Sequence, residues 1–285
     1  MSEPFRVGLI GAGYIATWHA DALAATPSAT VAAVCDLSEP AARGLAEAYG
    51  ARPFTSVEAL IESGLCDAVH ILTPPQLHKP LAIQCLEAGL HVLVEKPVAE
   101  SAADTEASRE AILAAAQAAG KRFHAGHNFL GLPSYVRLKE MMLHGDLGRV
   151  SACEISYALP LSPLRSGPFN LWLLREPKNL LLEVGPHLMA FAVDLFGTPE
   201  ITFAEASKPV DLPGGDPRPQ AFRILARAGE VEITFNVSLV ETQDDRSVTL
   251  RGSSGRARLD FASDVLILER ENSSDLIVNP LRKQL

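Results

Sequence analysis

No two cysteines in this chain stand at C-x-x-C spacing; the four, Cys35, Cys66, Cys85 and Cys153, lie far apart. That spacing argues against a zinc site, and no metal is expected. Cys35 and Cys85 fall inside apolar segments, as the reduced core thiols of a cytoplasmic protein do. No basic stripe interrupts a net charge of -9, made of 25 basic and 34 acidic residues. Nucleic acid and anionic membranes are therefore not expected as partners. No basic n-region opens the N-terminus MSEPFRVGLIGAG, and glycines break its apolar run, which speaks against a signal peptide. No run of about 18 apolar residues occurs, so no membrane span is expected. Internal repeats and low-complexity tracts are missing too. What is there is a globular composition, 47% hydrophobic and 21% charged, and 285 residues suffice for two domains.

The first 125 residues alternate short apolar runs with helical patterns. Strands are expected at 6–11, 30–36, 67–73, 91–96 and 121–127. Helices are expected at 14–25, 39–50, 57–63, 76–89 and 101–120. Gly50 and Gly89 close their helices, and Ser101 is a natural N-cap with Asp104 three residues on. Alternating strands and helices imply right-handed crossovers and a parallel sheet covered on both faces, a doubly wound α/β domain. Ligands of such a sheet bind outside the carboxyl ends of its strands.

After about residue 130 the style changes. A helix is expected over 134–145. Strand-like runs follow at 149–157, 200–206, 221–227, 230–238, 246–251, 256–261 and 264–270. The turn signals AGE, GSSG and ASD separate the later ones, as in antiparallel hairpins. The stretches 160–168 and 208–219 read as Pro/Gly-rich loops. The expected organisation is a Rossmann domain at 1–127 and, at 128–285, an α+β domain with an open, mostly antiparallel sheet.

GLIGAGYIA places Gly11, Gly13 and Ala16 between the first strand and the first helix. Gly11 permits the tight turn, Gly13 lets a pyrophosphate approach the backbone, and Ala16 lets helix and strand pack closely. The helix start, at Tyr14 and Ile15, offers free N–H groups and a positive dipole end. Asp36 ends the second strand, 20 positions past Ala16. Its carboxylate can accept from a ribose 2′-hydroxyl and repel a 2′-phosphate. The pattern points to a dinucleotide, with NAD expected and NADP as the alternative; the plainer reading is a tight turn. LTPPQLH (72–78) closes the third strand, where Thr73 and Pro74 can line the cleft and His78 opens the next helix. Alone it is equally a Pro-rich turn with a surface histidine. In HVLVEKPVA, Lys96 follows Glu95 at the carboxyl end of a central strand. An ammonium there, near a cationic nicotinamide, can move protons; a solvated Glu–Lys pair is the alternative. Glu183 and His187, four apart in LLLEVGPHLMAFAVDLFG (180–197), share one helix face. E-x-x-x-H is not a zinc-protease spacing. His187 can act as acid/base with Glu183 orienting it, or be an ordinary helix-face histidine.

Together, GLIGAGYIATWH, TPPQLHKPLAIQCLEAGLHVLVEKPVA and EVGPH resemble the glucose-fructose oxidoreductase / inositol dehydrogenase (Gfo/Idh/MocA) family, over about residues 5–270. The resemblance implies an N-terminal Rossmann domain and a C-terminal open sheet that forms a homodimer or homotetramer. It implies cofactor contacts from Gly11, Gly13, Tyr14, Ile15, Asp36, Thr73, Pro74, His78, Glu95 and Lys96, and a cis peptide before Pro97. It implies catalysis by Lys96 and His187, with Glu183 and Trp172 also contacting substrate. The sequence departs from the family pattern in the substrate half. Glu183 stands where Asp is usual, Lys178-Asn179-Leu180 replaces a glycine-rich stretch, Leu130 replaces Arg in NFLGLP, and Ala190 replaces an Asp. The chain ends at Leu285, ahead of a terminal strand and helix found in many members. The implied activity is an NAD(P)-dependent oxidoreductase of a small molecule: a sugar, nucleotide sugar or cyclitol. A nucleotide-binding regulator without turnover and an NAD-dependent glycoside hydrolase are the alternatives.

Overall fold

The computed structural model describes residues 3–270 apart from Gly214. Met1 and Ser2 of the N-terminus, and residues 271–285 of the expected second domain, lie outside the described residues. The chain divides into two compact units, one ending at Gly126 and the next beginning at His127.

The first unit runs β1 (Phe5–Ile10), α1 (Tyr14–Ala24), β2 (Ala29–Cys35), α2 (Glu39–Tyr49), β3 (Arg52–Phe54), α3 (Val57–Glu62), β4 (Ala68–Ile71), α4 (His78–Glu87), β5 (His91–Val94), α5 (Ala102–Ala119) and β6 (Phe123–Ala125). The sheet order is β3-β2-β1-β4-β5-β6, and every pairing is parallel. The order reverses between β1 and β4, which is the switch point of a doubly wound sheet. Side chains on alternate strand positions feed two cores. Val7 and Leu9 pack with Ala16 and Ala20 of α1. Ile10, Val69, Ile71, Val92 and Val94 pack with Leu86 and Ile112 of α4 and α5. Alanines at 16 and 20, both fully buried, let α1 lie close on the sheet.

Local signals end the helices where the sequence places them. The Ser101 hydroxyl accepts from the Asp104 amide at 3.1 Å, and Gly50 and Gly120 take left-handed C-cap conformations. Strand β3 escapes sequence reasoning because it has three residues and contains Pro53; it sits at the sheet edge, where a proline is tolerated. The four cysteines are buried and free. Burial pushes the thiols of Cys35 and Cys66 up to about 11 and those of Cys85 and Cys153 up to about 12, so they are inert core groups.

The second unit runs α6 (Pro133–Leu143), β7 (Val150–Pro160), α7 (Ser162–Ser166), α8 (Trp172–Arg175), α9 (Asn179–Phe196), β8 (Glu200–Val210), β9 (Arg218–Ala228), β10 (Val231–Ser238), β11 (Val240–Gly252), β12 (Gly255–Asp260) and β13 (Val265–Arg270). Its sheet order is β13-β12-β11-β7-β10-β9-β8. All pairings are antiparallel except β7 with β10. Leu138 of α6 and Leu180, Val184, Leu188 and Phe191 of α9 share one core with Ile155, Phe235, Val248 and Leu250 of the sheet. Among the described helices α9 alone is long and apolar enough to cross a membrane; its apolar stripe is spent on this core. The two expected loops are shorter than the sequence suggests. β7 extends to Pro160, and α7 forms directly after it. β8 and β9 extend into 208–219, with Pro209 opposite Pro219. β8 is an edge strand, and the β9–β10 ladder reaches only Ala221, so neither proline interrupts an inner ladder.

Candidate functional site

The parallel ladder of the first unit carries four chain segments side by side past the carboxyl ends of its strands. Gly11 N donates to Cys35 O at 2.8 Å, Leu72 N to Ile10 O at 2.8 Å, Glu95 N to Ile71 O at 3.0 Å, and Gly126 N to Val94 O at 2.7 Å. Gly11 adopts φ +104°, and a Cβ there would stand 2.9 Å from the Leu72 carbonyl carbon and oxygen. Only glycine fits this crossing. Gly13 differs. A Cβ there would meet nothing within 4 Å, and as N-cap of α1 it brings no side-chain cap to the free amides of the first turn. Tyr14, 81% exposed, and Ile15, 37% exposed, leave that turn open.

Asp36 is fixed at both oxygens: Oδ2 accepts from Ala12 N at 2.8 Å and Oδ1 from Ser38 N at 2.8 Å. The carboxylate is thereby held at the end of β2, against the glycine turn. At the end of β4, Thr73 Oγ1 is buried and has no hydrogen-bond partner among the described residues. A buried hydroxyl of this kind is suited to a ligand contact. The space at Gly13, the amides of α1, the oriented Asp36 and the Thr73 hydroxyl all suit a dinucleotide.

His78 corrects an expectation. It is 1% exposed, not a surface residue. Nε2 lies 2.7 Å from Thr73 O and Nδ1 2.9 Å from Pro97 O. Both ring nitrogens face backbone carbonyls, and a neutral ring donates to one of them. The residue lies between the turn after β4 and the turn after β5. Burial lowers its pKa and outweighs the two carbonyls, which favour the charged ring.

The Lys96–Pro97 peptide is cis, as the resemblance implies. Glu95 Oε2 accepts from Lys96 N at 3.0 Å, and Glu95 Oε1 lies 3.0 Å from His19 Nε2. Burial works to raise the Glu95 carboxyl, but the His19 hydrogen bond and charge, then the Lys96 charge, hold it below its ordinary value. Gly126 closes the other side: a Cβ there would come within 3.0 Å of Glu95 Oε1. His19, His70 and Gly126 escape sequence reasoning, because nothing in their local pattern marks them.

In the second unit, α9 carries Glu183 and His187, and the His187 ring packs on Phe129 with centroids 4.8 Å apart. The β7–β11 register sets Arg246 opposite Tyr157. Burial pushes the Tyr157 phenol up; Arg246 opposes this, while Glu183 and Asp244 add to it. Tyr157 and Arg246 are thus brought together by strand register, with the Glu183 charge acting on the phenol, an arrangement no spacing in the sequence reveals. Trp172 begins α8, and its carbonyl accepts from Asn179 Nδ2 at 2.8 Å. Asn179, buried, thereby joins α8 to α9 in the stretch where a glycine run is usual. Leu130 packs against the core. Among the described residues no group of three His, Cys, Asp or Glu side chains could hold a metal ion.

Fold and site define a nucleotide-binding Rossmann unit followed by an α+β unit with an open sheet. Residues 5–127 match the oxidoreductase family model with an NAD-binding Rossmann fold, and residues 135–258 match the C-terminal domain model of the same family. The chain belongs to the Gfo/Idh/MocA family. It is 36% identical to an inositol 2-dehydrogenase of Rubrobacter xylanophilus over 148 residues, which is 52% of this chain but only 42% of that relative's length. It is 28% identical to a dTDP-3,4-didehydro-2,6-dideoxy-alpha-D-glucose 3-reductase of Streptomyces violaceoruber over 98% of this chain and 81% of that one. The fold matches the WlbA dehydrogenase of Bordetella pertussis, solved with NADH and UDP-GlcNAcA, at a TM-score of 0.80 and 22% identity, covering 99% of this chain and 82% of that one. GenD2 from gentamicin A biosynthesis, solved with NAD, matches at a TM-score of 0.76 and 26% identity, over 91% of this chain and 73% of that one.

A valine at position 13 would occupy open space and leave the core untouched. Gly13→Val is therefore expected to keep the thermal midpoint within about 2 °C of wild type. NADH affinity, by fluorescence titration, is expected to fall on the order of tenfold or more, since the pyrophosphate loses its approach to the backbone. Unchanged affinity would mean the nucleotide binds elsewhere.

Proposed function

We propose that this protein is an NAD(H)-dependent oxidoreductase acting on a hydroxyl or carbonyl carbon of a sugar, nucleotide sugar or cyclitol. One observation carries the reading: at a single sheet edge the first unit gathers an open pyrophosphate cradle at Gly13, a fixed carboxylate at Asp36 and the Glu95–Lys96 turn. The names of the relatives, which include reductases and dehydrogenases of sugars and inositol, support the substrate class.

Each residue has a role that follows from its chemistry. The first-turn amides of α1, at Tyr14 and Ile15, hold the pyrophosphate. Asp36 accepts from the adenosine ribose and repels a 2′-phosphate. Thr73 and Pro74 line the cleft. When bound, the nicotinamide supplies the redox chemistry at its C4. The Lys96 ammonium hydrogen-bonds the reacting oxygen as charge develops on it. His187 exchanges the hydroxyl proton, with Glu183 orienting it or holding a neighbouring hydroxyl, and the Trp172 indole offers a flat face to the sugar. Either Lys96 or His187 can take the proton; the other then stabilises the oxygen. We further propose that the second unit's sheet, with Ile201, Phe203, Val265 and Ile267 exposed on its edge strands, pairs copies into a homodimer or homotetramer. Sedimentation as a monomer at micromolar concentration would contradict that.

The activity is tested by incubating the protein with NAD+ or NADH and a panel of nucleotide sugars, keto sugars and cyclitols while following nicotinamide absorbance. Turnover on at least one is expected. Tight nucleotide binding with no turnover on any would instead fit a nucleotide-binding regulator. Cofactor choice has its own test. Wild type is expected to bind NADH about tenfold or more tightly than NADPH, and Asp36→Ser to narrow that gap by removing the repulsion. A wild-type preference for NADPH would overturn the role of Asp36.

A further inference from the structure

Beneath the Glu95–Lys96 turn lies a line of polar side chains to which no contact with nucleotide or substrate has been assigned. His19, on α1, places Nε2 3.0 Å from Glu95 Oε1 and Nδ1 3.0 Å from Nδ1 of His70, on β4. The two rings meet edge to face, with centroids 5.1 Å apart at 76°. His70 in turn borders an open cavity of about 520 Å³ on the sheet face, lined also by His91 and His124.

Proton bookkeeping restricts this line. Two ring nitrogens at hydrogen-bond distance need one donor and one acceptor. Burial pushes His70 down to about 4, with the His19 charge adding to the effect, so His70 is a neutral ring with one N–H. If His19 holds one proton, it spends that proton on the Glu95 carboxylate and accepts from His70 Nδ1. If His19 holds two, it donates to both neighbours. In either arrangement His19 Nε2 is the donor to Glu95. The carboxylate is thus gripped by His19 on one oxygen and by the Lys96 amide on the other, with Gly126 allowing no side chain beside it. The charged or titratable groups facing it are His19, Lys96 and, beyond them, His70 and His78.

We propose that His19 and His70 are positioning residues that aim the Glu95 carboxylate at the nicotinamide end of the dinucleotide and so bias the protein toward the oxidised, cationic cofactor. The proposal rests on the dinucleotide reading. With the adenosine ribose on Asp36 at β2, the other half of a dinucleotide spanning the switch point lies at the ends of β4 and β5. A carboxylate held there attracts the positive ring of NAD+ and gains nothing from the neutral ring of NADH.

Dissociation constants for NAD+ and NADH, by calorimetry and fluorescence, test this across four variants, each checked for folding by its melt. Glu95→Gln is expected to shift the affinity ratio about tenfold toward NADH. His19→Leu should shift it in the same direction. His19→Gln, whose amide N–H replaces the Nε2 donor, should restore most of the wild-type ratio. His70→Phe should fall between. A ratio moved by Glu95→Gln but unmoved by His19→Leu and His70→Phe would overturn the inference and leave the histidines as packing. Failure of wild type to bind either nucleotide would overturn the dinucleotide reading, and this inference with it. Binding of both at a ratio no variant alters overturns this inference alone.

Discussion

Lys96→Ala is expected to lower turnover by about 10²–10⁴-fold while leaving NADH affinity within a few-fold of wild type, the range typical of losing one positioned proton-transfer or oxyanion-stabilising group. The split follows from the geometry. The Lys96 amide donates to Glu95 Oε2. Alanine keeps that amide, so one of the two hydrogen bonds on the Glu95 carboxylate stays in place, while the ammonium and its charge beside Glu95 are lost. Lys96→Arg should not rescue turnover, because a guanidinium is wider, holds its proton more firmly and presents its donors in a fixed fork. Turnover of Lys96→Ala near the wild-type rate would remove Lys96 from the chemistry.

Gly11→Ala is expected to destabilise the protein by about 3–5 kcal/mol, the range of a substitution that forces backbone apart at a strained φ. The added methyl would stand 2.9 Å from the carbonyl carbon and oxygen of Leu72, at a φ of +104°. Those atoms are backbone and cannot rotate away. Leu72 is itself tied by its amide to Ile10 O at 2.8 Å, so relief at one strand end strains the next. Gly13→Ala, two residues on, supplies the control: its Cβ meets nothing within 4 Å, and denaturant unfolding should show a change below about 1 kcal/mol. Equal stability of the two alanine variants would contradict the assigned division of labour, in which Gly11 serves the fold and Gly13 the ligand.

That division is partly legible in the sequence. GLIGAGYIA and Asp36 stand out because each carries its own local mark: a glycine at a forced φ, a helix start, an acid at a strand end. The α/β alternation likewise gives the parallel sheet, and hence the placement of Glu95 and Lys96 at its edge. The sequence is silent where a role depends on distant partners. His19 meets His70 across 51 residues and Glu95 across 76, and Tyr157 meets Arg246 by strand register alone. His78 misleads because its burial is set by two carbonyls brought over it by the turns after β4 and β5. The short elements β3, α7 and α8 are missed for a simpler reason: each is five residues or fewer, too short to display a period, and two of them hold a proline.

The central claim is that a nicotinamide lies against the Glu95–Lys96 edge and exchanges hydride with a substrate carbon. It is tested most directly with NADH deuterated at C4 on one face or the other, using a carbonyl substrate that the panel shows to be turned over. Mass spectrometry of the product should show one added deuterium from one labelled face and none from the other, with Lys96→Ala slowing the transfer. Product formed without deuterium from either labelled cofactor would contradict direct hydride transfer, and with it this account of the site.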